Sequence, residues 1–121
     1  KEKKIPVVIG GDFNSPSHLD WVESTQKFHY GKVVQWPVSK LMLEYNYTDS
    51  FRKAHPDPRQ TLEGTWGYLS PRDIISDRID FIYYKGENLK TLYSKIVMED
   101  PEDGFFNSDH RAVLTQFDLK N

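Results

Sequence analysis

The chain has 121 residues, a formal net charge of -2 at pH 7 and no cysteine. This length suits one domain with a modest core and excludes two full domains. The mildly acidic balance argues against a basic surface that holds nucleic acid by charge alone, although bound divalent cations can offset phosphate charge locally. Without cysteine, disulfides and thiolate zinc sites are excluded, and the compartment stays undetermined. The sequence contains no transmembrane run and no signal peptide, but it begins with Lys rather than Met, and we expect it to be cut from something longer.

Residues 7–16 form an apolar run that ends in two glycines and then presents polar side chains. The β-branched stretch Ile5–Ile9 predicts a central strand. Side chains two apart on a strand share a face and lie roughly 7 Å apart along it. Asp12 and Asn14 can therefore converge on one ligand, such as a metal-bound phosphate or a water. The same residue types also form ordinary turns, and this segment alone leaves both interpretations open.

The next part of the chain predicts two short helices separated by a loop. Ser17 can cap a helix that runs through Ser24. Residues 25–35 have a weak, aromatic pattern and predict a surface loop. Pro37 suits the first turn of a second helix, and Asn46 permits a left-handed exit from it.

From residue 48 onward the pattern is typical of strands and loops. The run at 78–84 alternates most clearly, and it places Ile79, Phe81 and Tyr83 on one face. After a turn at 85–88, the next strand is expected to pair back on this run. Polar loops are predicted at 69–77 and 101–107. The predicted strands are residues 48–52, 78–84, 89–98 and 112–119.

Asp80 is a carboxylate in the middle of an apolar strand, where an unpaired buried charge is costly. Arg78 lies on the same face of that strand and is one possible partner. His110, at the start of the last strand, is the other. A carboxylate bound to one imidazole nitrogen fixes the tautomer, favours the protonated ring and leaves the second nitrogen to donate to a phosphoryl oxygen. Both partners stay open on the sequence pattern alone.

Four segments, in order, resemble motifs of the endonuclease/exonuclease/phosphatase superfamily of metal-dependent phosphoesterases, which includes pancreatic deoxyribonuclease, apurinic endonucleases and inositol phosphatases. The resemblance implies an α+β sandwich with a mostly antiparallel sheet flanked by helices, like the second half of a four-layer αββα fold. It also implies that residues 1–121 form the C-terminal part of such a domain and that the N-terminal half is not present. The segments are Gly11-Asp12-Phe13-Asn14-Ser15-Pro16, Thr48-Asp49-Ser50-Phe51-Arg52, Arg78-Ile79-Asp80-Phe81-Ile82 and Ser108-Asp109-His110.

The resemblance further implies how the polar residues of these segments act. Asp12 would orient or deprotonate the attacking water and also contact the metal. Asn14 would hold a phosphate oxygen through its amide and so help to bind the substrate. Asp109 would bind a divalent cation or lie beside it. Hard oxygen ligands point to Mg²⁺ or Mn²⁺ rather than zinc.

The remaining implied roles fall on the histidine and its surroundings. His110 would contact the substrate and stabilise charge on the phosphoryl group, and Asp80 would orient His110. Trp66 would lie near the substrate, although a tryptophan there packs into a core as often. The implied activity is hydrolysis of a phosphoester, in nucleic acid or a small molecule, by in-line attack of an activated water. The alternative is a catalytically incomplete binding or scaffold module of the same fold.

We also expect the chain by itself to be inactive and to expose an apolar sheet face. In a sandwich each sheet buries one face against the other, and this chain supplies strands for about one sheet. The missing N-terminal half, or self-association, would then cover that face. The side chains expected on it are Ile79, Phe81, Tyr83, Val113 and Phe117.

Overall fold

The structure is a computed structural model, and it describes residues 5–66, 76–97 and 108–120. These residues form two small antiparallel sheets and three short helical segments. The helical segments are a 3₁₀ helix at Glu23–Phe28, α1 at Pro37–Glu44 and α2 at Ser50–Ala54. The strands are β1 at Val7–Asp12, β2 at Thr48–Asp49, β3 at Asp80–Lys85, β4 at Leu89–Val97 and β5 at Ala112–Leu119. This mixture confirms the α+β class. Three predicted features lie outside the described residues: residues 69–75 of the loop predicted at 69–77, the loop predicted at 101–107, and Met98 at the end of one predicted strand.

The first sheet has the strand order β1-β3-β2, so β3 is its central strand. β1 and β3 are antiparallel, and their register places Asp12 opposite Asp80. The prediction that the first strand is central is wrong, because within the described residues β1 lies at an edge. Its side chains Val7, Val8 and Ile9 are 42%, 51% and 36% exposed. Within the described residues, this β-branched run therefore forms an exposed apolar edge.

The second sheet consists of β4 and β5, which pair antiparallel with a bulge between Thr91 and Tyr93. The prediction that the strand after residue 88 pairs back on β3 is wrong, because β4 pairs with β5 instead. Gly86 has a φ of 144°, a conformation that other residues rarely adopt, and it lets the chain leave the first sheet. The rings of Tyr84 and Phe117 join the two sheets edge to face, with centroids 5.1 Å apart.

The core lies on the face of the first sheet that carries Ile79, Phe81 and Tyr83. These side chains are only 7%, 2% and 1% exposed. Phe13 packs edge to face on the rings of Phe81 and Tyr83, with centroid distances of 5.8 and 5.3 Å. The expectation that this face would be open is therefore wrong, since side chains of the chain itself cover it.

The exposed apolar surface lies at other positions. Val113 and Phe117, which were expected on the open face, are partly buried. Large exposed apolar side chains occur on the edge strand β1 and on the second sheet. They are Val7, Val8, Ile9, Leu92, Tyr93, Leu114 and Leu119.

The predicted helix from Ser17 to Ser24 is wrong. The chain forms turns there, and the 3₁₀ helix follows. Thr25 explains the difference, because its hydroxyl donates to the Asp20 carbonyl at 2.6 Å and accepts from the Val22 amide at 3.2 Å. Side-chain bonds of this kind compete with regular helical bonds. Thr25 itself is fully buried, so the predicted surface loop is not exposed throughout.

The second predicted helix is confirmed as α1, and Asn46 follows it with a φ of 63°. The strand predicted at 48–52 is only partly confirmed, because β2 ends at Asp49 and α2 begins directly after it. The Asp49 carboxylate accepts from the Arg52 amide at 3.1 Å and caps this helix. None of the helices in the described residues has both the length and the apolar character of a membrane-spanning segment.

A buried ionic cluster ties β2, α2 and the start of β3 together. Arg78, only 3% exposed, donates to the Asp20 carboxylate at 2.8 Å and to the Asp49 carboxylate at 2.7 Å. Arg52 donates to Asp20 at 2.8 Å. Arg78 therefore has two carboxylate partners of its own and is not the partner of Asp80.

Candidate active site

The site is centred on a carboxylate and an imidazole from distant parts of the chain. Asp80 is the first residue of β3, and His110 lies two residues before β5. The Asp80 Oδ2 atom accepts a hydrogen bond from His110 Nδ1 at 2.8 Å. The predicted contact between these residues is confirmed. Their side chains are 19% and 26% exposed, so solvent reaches the pair without fully screening it.

The hydrogen bond to Asp80 raises the pKa of His110 above its ordinary value. Partial burial opposes this rise, while the negative charges of Asp80, Asp109 and Asp12 add to it. The protonated ring is therefore favoured in the folded protein. With Nδ1 bonded to Asp80, Nε2 is the atom of His110 that remains to donate to a ligand.

Asp12 joins this pair because the register of β1 and β3 places it directly opposite Asp80. Each of these three residues, Asp12, Asp80 and His110, offers one possible ligand atom, and the three atoms lie within 4.8 Å of one another. Two carboxylates directly opposite each other on neighbouring strands repel and destabilise a sheet. A positive charge at this position, from the imidazolium or from a cation, relieves that repulsion.

Asn14 does not reach the site in the way that strand alternation predicted. β1 ends at Asp12, and Asn14 lies in a turn with a φ of 49°. Its backbone amide donates to Asp12 Oδ1 at 2.8 Å, which is a local side-chain turn. Asn14 is exposed and lies next to the cluster, and its amide side chain remains a candidate contact for the substrate.

Asp109 and Trp66 flank His110. Asp109 Oδ1 is 3.9 Å from His110 Nε2, too long for a hydrogen bond, and its side chain is 75% exposed. Trp66 forms an isolated antiparallel bridge with His110 and is 48% exposed. The core-packing interpretation of Trp66 is therefore wrong, because half of the side chain is open to solvent beside the histidine.

Thr65 is the site residue whose role the sequence pattern did not predict. Its hydroxyl accepts hydrogen bonds from the backbone of Ile79 and Asp80, and its carbonyl accepts from the Arg111 amide. Gly64, which precedes it, was the available signal, because an isolated glycine in an extended piece marks close backbone approach. The sequence did not indicate which residues come close to Gly64 and Thr65.

A divalent cation fits the donor set of this cluster. Two carboxylates and an imidazole supply three ligand-type atoms, and the opposed carboxylates of Asp12 and Asp80 leave negative charge for a cation to neutralise. Mg²⁺ keeps several waters and is held by one or two carboxylates, while Mn²⁺ also accepts such oxygen ligands. Within the described residues the group that could hold such a cation is Asp12, Asp80 and His110, and the predicted ligand Asp109 lies beside it, 3.9 Å from His110 Nε2.

Comparison with known proteins finds no family model that matches the chain. The chain is similar to the uncharacterized protein F14F9.5 of Caenorhabditis elegans, with 42% identity over 136 residues that cover 97% of this chain and 42% of that protein. It is also similar to an NDRG-like protein of Dictyostelium discoideum, with 24% identity over 120 residues, 95% of this chain and 37% of that protein. The chain thus spans about two fifths of the length of these curated relatives. Neither name states a reaction.

Proposed function

We propose that this chain carries catalytic residues of a metal-dependent phosphoester hydrolase. The observation that carries the proposal is the 2.8 Å hydrogen bond between Asp80 and His110, with Asp12 in the same 4.8 Å cluster. In-line attack on a phosphoryl group needs a base for water and a positive group for the developing charge, and this cluster has a residue for each. The four segments that resemble the endonuclease/exonuclease/phosphatase superfamily support the same reaction.

Asp12 acts as the base for the attacking water. Its carboxylate is exposed at the end of β1, and it accepts one proton as the water oxygen forms the new bond to phosphorus. The ester bond on the opposite side of phosphorus breaks, and its electron pair goes to the leaving oxygen, which takes a proton from solvent. General base catalysis of this kind contributes about 10² to 10⁴ in rate.

His110 stabilises the negative charge that develops on the phosphoryl group. Asp80 holds the Nδ1 proton, so the protonated ring presents its Nε2 proton to a phosphoryl oxygen. The same bond raises the pKa of His110, which favours the charged form of this donor. A fixed cationic donor stabilises negative charge that grows in the transition state and needs no reorganisation at that moment.

The cation and the substrate are held by the residues around this pair. Asp12 and Asp109 would hold Mg²⁺ or Mn²⁺, and the bound cation would supply a Lewis acid for a phosphoryl oxygen. The Asn14 amide binds a second phosphate oxygen. The exposed Trp66 ring, 48% open beside His110, contacts the apolar part of the substrate. These contacts suit a phosphoester of nucleic acid or a small molecule.

The open edge strand bears on the assembly. Val7, Val8 and Ile9 of β1 are exposed, and uncovered apolar edge strands of this kind invite a further strand. The remainder of a longer polypeptide, the N-terminal half of the fold, covers this edge, or a second copy does.

The test is a substrate panel with the full-length protein. Plasmid DNA, RNA, bis-p-nitrophenyl phosphate and simple phosphomonoesters are each incubated with Mg²⁺, with Mn²⁺ and with excess chelator. We expect hydrolysis that chelator abolishes and that His110→Ala lowers by at least about 10²-fold. His18→Ala, which removes a histidine that contacts the Ser39 hydroxyl and not Asp80, should stay active. Metal binding without turnover of any substrate would favour the alternative, a catalytically incomplete binding or scaffold module.

A further inference from the structure

Thr65 makes an unusual pair of contacts with the strand that carries Asp80. Its side chain is 0% exposed, and its Oγ1 atom accepts hydrogen bonds from the amides of Ile79 at 3.0 Å and Asp80 at 3.1 Å. These two amides are consecutive and belong to the residue before β3 and the first residue of β3. One buried hydroxyl therefore holds the backbone from which the Asp80 side chain projects.

The backbone of the same residue holds the other half of the site. The Thr65 carbonyl accepts a hydrogen bond from the Arg111 amide at 2.7 Å, and the next residue, Trp66, forms an antiparallel bridge with His110. The Thr65 amide in turn donates to the Asp77 carbonyl at 2.9 Å. Thr65 thus contacts the backbone beside Asp80 through its side chain and the backbone beside His110 through its main chain.

We propose that Thr65 is a positioning residue that sets the separation of Asp80 and His110. A hydrogen bond between these side chains tolerates only a few tenths of an ångström before it weakens, so both backbones must be held. The sheet pairing holds β3 to β1 and β2, and β5 to β4, but among the described residues it forms no ladder between β3 and β5. Thr65 supplies a direct polar link between these two parts.

The hydroxyl, rather than the shape of the side chain, carries this role. Valine has nearly the same volume and the same branching but cannot accept the two amide protons, which would then be buried without this partner. Serine keeps the acceptor and loses only a methyl group. The two substitutions therefore separate hydrogen bonding from packing.

The first test reads the hydrogen bond itself and requires no turnover. In full-length protein labelled with ¹⁵N-histidine, the Nδ1 proton of His110 bonded to Asp80 gives a downfield signal, which His110→Asn identifies by its loss. We expect Thr65→Val to remove or strongly shift this signal and Thr65→Ser to retain it. Thr25→Val is the matched control, because Thr25 is also 0% exposed and hydrogen-bonded but lies in the 3₁₀ helix.

The second test depends on the proposed function, since it measures phosphodiester hydrolysis with Mg²⁺ or Mn²⁺. We expect Thr65→Val to lower kcat about 10- to 100-fold, the scale for groups that orient a site residue, with KM little changed. Thr65→Ser should restore most of kcat. Thr65→Ala, which introduces no larger group, replaces the valine variant if that protein does not fold.

The possible failures are distinguishable. If no substrate is hydrolysed but the His110 signal depends on the Thr65 hydroxyl, the proposed function fails and the positioning role stands. An active wild-type protein whose valine variant keeps both the signal and kcat overturns the positioning role alone. Unfolding of both the valine and the alanine variants also overturns it, because the hydroxyl would then serve stability and not positioning.

Discussion

Asp12 and Asp80 stand directly opposite each other on two paired antiparallel strands, so two carboxylates share one position of the sheet. Like charges at such a position destabilise the pairing by a few tenths to about 1 kcal/mol. His110 bonds to one of the two carboxylates, and the other is exposed to solvent. The Asp12–Asp80 pair therefore lowers the stability of the sheet at the position where the proposed chemistry needs negative charge.

The opposed carboxylates predict opposite effects of Asp12→Asn on stability and on activity. In chelator, the free energy of unfolding should rise by about 0.2 to 1 kcal/mol, because the repulsion with Asp80 is removed. Mn²⁺ should stabilise the wild-type protein against urea and have little effect on the variant, and hydrolysis should fall about 10²- to 10⁴-fold. Asp118→Asn is the control, since Asp118 lies opposite Lys90 on β5. Equal stabilisation of both proteins by Mn²⁺ would contradict the role of Asp12 as a ligand.

The hydrogen bond from His110 to Asp80 predicts a pKa for His110 above its ordinary value of 6.5, and Asp80→Asn should lower it. Because the folded-state pKa is raised, the stabilising contribution is complete below pH 6.5 and is lost as the pH rises through the folded-state value. NMR titration of the His110 ring measures its pKa in the wild-type protein and in Asp80→Asn. His18 is the internal control, since burial and then Lys40 lower its pKa, and Asp80→Asn should leave it unchanged. An unchanged His110 pKa in the variant would show that Asp80 does not control the ring.

The buried ionic cluster predicts that Arg78→Met is among the most destabilising substitutions in the chain. The change leaves the carboxylates of Asp20 and Asp49 buried without this partner, and we expect a loss of about 3 to 5 kcal/mol in the free energy of unfolding. Urea denaturation measures it. Arg59→Met is the matched control, because the 62% exposed Arg59 pairs with Asp57 at the surface and should change stability very little. Similar losses in both variants would argue against a special role for the cluster.

Gly64 predicts a steric link between the loop before Thr65 and the site. A side-chain carbon at Gly64 would overlap the backbone of Ser76, so Gly64→Ala forces the two segments apart. We expect a loss of about 1 to 3 kcal/mol and a weaker downfield signal from His110. Gly10→Ala is the control, because an added carbon there meets its nearest atoms at 3.8 Å. Normal stability in Gly64→Ala would show that residues 64 and 76 separate easily.

The open edge strand predicts that Val8→Lys alters association more than folding. Val8 is 51% exposed, so the free energy of unfolding of the chain should change by no more than about 0.5 kcal/mol. A lysine on an exposed edge strand hinders the addition of another strand. Sedimentation velocity of the 121-residue chain should show a concentration-dependent dimer that Val8→Lys abolishes and that Val33→Lys, a loop substitution at 48% exposure, preserves. A wild-type chain that stays monomeric would show that β1 does not mediate self-association.

The sequence alone predicted the elements that depend on local features, such as the alternation of apolar residues or the residue types at the ends of a helix. The alternation around Phe81 predicted β3, the pattern of 112–119 predicted β5 exactly, and Pro37 and Asn46 marked the ends of α1. Asp80 was also identified in this way, because a carboxylate in an apolar strand requires a partner wherever it lies.

Only the tertiary structure decided which partners meet. Arg78 and His110 were both chemically suited to Asp80, and the choice fell on His110 because Asp20 and Asp49 already surround the guanidinium. The edge position of β1 and the pairing of β4 with β5 were not predictable for a related reason. Periodicity reports which face of a segment needs burial, but not which other segment supplies the cover. The contacts of Thr65 show the same limit, since its bond to the Asp80 amide exists only once segments distant in sequence have come together.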